Sequence, residues 1–86
     1  MKYFWFSFTD SKGLLGVVIS KGNTLESALN AMELMNINPG GNISHTEIKP
    51  HGIEENDILR LLNGADLYRI LLKFEEKGGL NALVVG

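Results

Sequence analysis

His45 and Glu47 stand two residues apart in Asn42-Ile43-Ser44-His45-Thr46-Glu47-Ile48, with His51 shortly after. Imidazole and carboxylate can share a divalent metal or relay a proton, but either task needs a pocket and further aligned groups. Alternating polar residues are also what the wet face of a strand carries, and His51 between Pro50 and Gly52 has no fixed bearing. Ser7, Ser20 and Ser44 supply hydroxyls without a spacing that would activate one. The chain has no cysteine, which removes thiolate chemistry and cysteine zinc sites from consideration. The expectation is a non-enzymatic protein with no catalytic residues, metal or cofactor.

Asn36-Ile37-Asn38-Pro39-Gly40-Gly41 is a sharper feature. Glycines after a proline can present successive amides as a nest for phosphate or carboxylate. Asn38, Gly40 and Gly41 are therefore candidate ligand contacts for a small anion or nucleotide, with Trp5 and Arg60 as further contacts. The competing reading is a turn that carries a helix into a strand without any ligand. This is not a Walker loop, because no Lys-Ser/Thr pair and no helix start follow, and the Gly-x-Gly-x-x-Gly dinucleotide fingerprint is absent too. Arg60 and Arg69 are isolated in sequence and read as surface or ion-paired side chains, while Glu54, Glu55 and Asp57 read as an acidic helix start.

These residues need a frame. At 86 residues the chain makes one domain, since a division would leave neither part a core. Residues 2 to 9 hold Tyr3, Phe4, Trp5, Phe6 and Phe8, a strand with Phe4, Phe6 and Phe8 on one face and Tyr3, Trp5 and Ser7 on the other. Asp10-Ser11-Lys12-Gly13 turns the chain, and Leu14 to Ser20 returns as the second strand of a hairpin. That second strand is apolar on both faces, so both faces must be covered; Gly16 would let another group approach closely.

Asn23 and Thr24 compete as N-cap of a helix bearing Leu25, Ala28, Leu29, Met32 and Met35 on one stripe, stopping near Asn36 ahead of Pro39. Residues 42 to 48 read as a half-exposed third strand, parallel to strand two through a crossover or paired with strand one. Ile58, Leu59, Leu61 and Leu62 read as a short helix. Asn63 caps another, with Leu67, Ile70, Leu71 and Phe74 as its stripe, ending before Gly78-Gly79. Residues 80 to 85 read as a final strand or as a segment that docks on a second subunit. The expected class is α+β: a small three- to four-stranded sheet, a helix packed after the N-terminal hairpin, and a C-terminal helical pair.

Charge narrows the partners. Lys plus Arg number 8 against 10 Asp plus Glu, and the cations are scattered, so the basic footprint of a nucleic-acid binder is missing. No run approaches the ~20 apolar residues that span a bilayer, and polar residues from Ser7 to Lys12 interrupt any signal-like segment. The expected setting is cytoplasmic, with neither a nucleic-acid polymer nor a membrane as partner.

The aromatic strand, the Gly13-to-Ile19 segment, the Leu25-to-Met35 helix and the Asn-Pro-Gly-Gly turn together resemble small uncharacterised proteins of bacteria and their phages, over roughly residues 3 to 48. That resemblance implies an accessory protein and brings no established site residues with it. The leading expectation is a protein-interaction or self-associating module, a homo-oligomer or a partner of another protein. Tyr3, Trp5, Leu83 and Val85 are its candidate interface; large aromatics carry interface energy at small entropy cost. The alternative is a small-ligand or nucleotide-sequestering protein built on the Asn38–Gly41 loop.

Overall fold

The computed structural model describes residues 1–85. Strands β1 (Lys2–Asp10) and β2 (Gly13–Gly22) form the hairpin, with Trp5 opposite Ile19 and Phe6 opposite Val18. The register shifts between Phe8 and Thr9, which sets Leu15 into a bulge between Leu14 and Gly16. Strand β3 (Asn42–Ile48) lies antiparallel on the other side of β1, giving the order β2-β1-β3. Of the two pairings the sequence allows, it takes the one with strand one; no parallel crossover forms.

Helix α1 (Leu25–Leu34) begins at Thr24 rather than Asn23. Thr24 Oγ1 accepts from Ser27 N and Ser27 Oγ accepts from Thr24 N, each at 3.1 Å. A reciprocal cap of this kind is worth about 1 kcal/mol. Leu25, Ala28, Leu29 and Met32 lie over Phe4, Phe6, Phe8 and Val18 and form the first core. Met35, at the helix end, stays 53% exposed and is outside the stripe. Asn36 then takes φ +54°, the left-handed turn that ends a helix and that Asn tolerates better than most residues.

The reverse face of the hairpin is covered by the C-terminal half. Helix α2 (Gly64–Glu75) starts at Asn63 and buries Leu67, Ile70 and Phe74, while Leu71 is turned outward. With Trp5, Val17, Ile19, Ile48, Leu62 and Leu83 these make the second core. The Trp5 and Phe74 rings lie 5.7 Å apart in a tilted contact. Sheet faces that need covering on both sides thus obtain it within one chain.

Two C-terminal expectations are corrected. Residues 58 to 62 are not helical: after a 3₁₀ turn at Glu55–Asp57 the chain bends at Leu59 and Arg60 against the outer edge of β2, bridging it at Ile58 to Ile19 and at Leu62 to Val17. Ile58 and Leu62 enter the second core and Leu59 and Leu61 pack on the first, so this segment joins the two layers at the sheet edge. Leu59 adopts φ +56° to do so. Gly16 makes room for it, since a Cβ there would come within 2.7 Å of Leu61 Cδ1 and 3.1 Å of the Leu62 carbonyl oxygen. Nor is the tail a strand: Leu80–Leu83 is one helical turn, α3, after which Val84 makes a single bridge to Ile48.

Candidate functional site

The sequence-nominated residues do not converge. Trp5 is 7% exposed and Leu83 3%, both inside the second core rather than at an interface. The α2 helix and the 58–62 segment bury them, because the aliphatic reverse face of the hairpin needed that cover. Tyr3 is half-buried at the rim of the same core, with Lys21 Nζ 6.0 Å from its ring centroid. Val85 remains exposed. Of the four interface candidates, only Val85 and the rim of Tyr3 reach solvent.

The Asn38–Gly41 loop satisfies itself. Asn38 Oδ1 accepts from Gly40 N at 2.8 Å, and Asn38 Nδ2 donates to Glu33 Oε1 at 3.0 Å. This is an Asx turn, in which the side chain takes the amide that a nest would offer to an anion. Gly41, at φ +75°, passes so close to Thr9 that a Cβ would overlap its carbonyl oxygen. The glycine therefore serves the approach of the loop to the hairpin end. Trp5 is buried on the opposite face from the first core, and Arg60 belongs to another cluster, so neither joins this loop.

Arg60 and Arg69 are where the structure concentrates charge. Asp57 is 3% exposed and receives Arg69 through both nitrogens, Nη2 to Oδ1 at 2.7 Å and Nη1 to Oδ2 at 3.3 Å. Arg60 Nη2 adds a third contact at 3.2 Å, and Arg60 Nη1 reaches Asp66 at 3.1 Å. Hydrogen bonding from Arg69, then from Arg60, holds the Asp57 carboxyl below the usual carboxylate range despite its burial, and both guanidinium groups are held more firmly protonated. With two aspartates against two arginines, the cluster is neutral and offers no excess charge to an anion. It pins the 3₁₀ turn to α2. The signal for it was present in the chain as two Asp-x-x-Arg units, Asp57 to Arg60 and Asp66 to Arg69, which pair crosswise.

His45 is exposed and Glu47 half-buried on the α1 side of the sheet, beyond the cover of the helix. His51 is exposed in the following turn. Among the described residues no three metal-ligating side chains come together. On the other face Ser7 Oγ and Ser44 Oγ share a 2.6 Å hydrogen bond across β1 and β3, a polar patch with no base beside it.

The two sheet edges differ, and that difference is the feature most open to use. Along β2, Val17 and Leu62 exchange both backbone bonds, at 2.8 and 2.7 Å, and Leu59 N donates to Ile19 O at 2.8 Å. Along β3 only the C-terminal end is closed, by Val85 N to Glu47 O at 2.9 Å and Lys49 N to Leu83 O at 2.8 Å. In an antiparallel ladder the outward groups fall on alternate residues. Ile43 and His45 therefore aim N–H and C=O outward like Glu47, and no described residue meets them. Asn42, Ile43, Ser44 and His45 are all exposed. No family model, characterised protein or solved structure matches this chain.

Proposed function

We propose that this chain is a non-enzymatic interaction module that accepts an extended protein segment along the free edge of β3. The observation carrying this reading is the asymmetry of the sheet: one edge is closed at its centre, at Val17 and Ile19, whereas the other is closed only at its end, where Val84 and Val85 cross it. Edge strands are ordinarily blunted by proline, lysine or a covering segment. Asn42–Ile48 contains neither proline nor lysine, and no charged residue precedes Glu47. Unpaired backbone groups in such a strand are the donors and acceptors that strand addition uses, with side chains on alternate positions setting preference. The anion-nest alternative draws less support, because Asn38 already occupies the Gly40 amide.

A library of displayed random peptides tests the reading. Selection should return extended peptides that bind the native protein and lose binding to His45→Pro. That substitution removes an outward donor and leaves the ladder with β1 intact. Binders indifferent to His45→Pro, or none at all, would count against the edge as the site.

A further inference from the structure

We infer that the occupant of the β3 edge is β3 of a second copy, antiparallel, with Ser44 on the twofold axis. This rests on the interaction reading above and specifies its partner. The open stretch is its own complement. With Ser44 opposite Ser44, Ile43 of each copy faces His45 of the other, and these are the residues whose N–H and C=O both point outward. Each Ile43–His45 pair then exchanges both of its backbone bonds, and every outward group on those two residues is used.

Neighbouring registers fit less well. Moving the axis to His45 sets Ile43 against Glu47, whose carbonyl is already taken by Val85 N. Moving it by half a step sets outward groups against inward ones, as any odd slip of a strand does. With Ser44 on the axis, the paired stretch runs from Asn42 to Thr46 and stops short of Glu47, whose outer side Val85 holds, so no like charges are set opposite each other. Ile43, 46% exposed in the single chain, gains a cross-strand neighbour on the α1 side. The short contact places the dimer in the weak, concentration-dependent class that buries less than ~1,200 Å².

The absence of cysteine from the chain makes the register testable. Opposed residues in a pair that makes no backbone bonds have Cα atoms about 4.5 Å apart, within the roughly 4.4–6.8 Å that a disulfide spans. The full chain carrying Ser44→Cys should oxidise to a covalent dimer of twice the mass. Thr46→Cys, which faces Asn42 instead of itself, should remain a single chain under the same conditions. Sedimentation of the native protein should show mass rising with concentration, and His45→Pro should abolish the rise.

Equal cross-linking of both cysteine variants, or a dimer in which neither cross-links, overturns the proposed joint. Native protein and Ser44→Cys that stay single-chain at every concentration also overturn it. In that case peptides that bind through His45 would leave the interaction reading standing, and their absence would remove both.

Discussion

Leu62 gives both of its backbone groups to Val17, accepting from Val17 N at 2.8 Å and donating to Val17 O at 2.7 Å. This pair closes the β2 edge at Val17 and seats Leu62 in the second core beside Trp5. Part of the cover on the hairpin's reverse face and the closure of the middle of its edge are thus made by the same segment, residues 58 to 62.

Trp5 should behave as a core residue. Trp5→Ala removes a ring packed on Phe74 and should cost about 3–5 kcal/mol. Small domains hold only ~5–15 kcal/mol in total, so circular dichroism should show a large fall in the urea midpoint or an unfolded chain. As the sole tryptophan, Trp5 should also emit at short wavelength, unchanged by protein concentration. A red, solvent-like emission from the folded chain would return Trp5 to the surface.

Asp57 should make the fold sensitive to acid. Its folded pKa lies below that of the unfolded chain, which is about 3.9. The stability it contributes is therefore fully present above about pH 4 and is lost as pH falls through the depressed folded value. Asp57→Asn should lower stability at pH 7 by about 2–3 kcal/mol, since charged hydrogen bonds to a buried acceptor are lost. The deficit relative to the native protein should shrink as the buffer is taken from pH 5 toward pH 2. A deficit constant across that range would mean the Arg60 and Arg69 contacts contribute little.

Gly40 and Gly41 should separate under substitution although both have positive φ. Gly41→Ala adds a clash with Thr9 backbone to the conformational strain, whereas Gly40→Ala meets open space. The strain alone is worth about 1–2 kcal/mol. Thermal melts should place Gly41→Ala well below Gly40→Ala; equal losses would show that the approach to Thr9 is not tight.

Much of this architecture was legible in residue types. Five aromatics in β1, a turn at Asp10 to Gly13 and a two-sided apolar β2 led to a hairpin covered on both faces, and both covers are there. The helix stripe of α1 and the Asn63 start of α2 were equally plain. Residues 58 to 62 misled because Ile58, Leu59, Leu61 and Leu62 carry helical spacing, yet the same spacing serves an edge segment feeding two cores. What decides between them is backbone bonding to Val17 and Ile19, remote in sequence. The Asp57 cluster was hidden for a similar reason, since Asp57 and Arg69 meet only after the segment between them turns. The half-exposed character of β3 did point to an edge, but not to which of its groups the tail would close.

The most direct measurement is site-resolved amide exchange in dilute, single-chain protein and again after concentration. Val17 and Leu62 should be protected in both samples, while the Ile43 and His45 amides exchange freely when dilute and slow as the concentration rises. Slow exchange at Ile43 and His45 in the dilute sample would contradict an open β3 edge, and with it the role built on that edge.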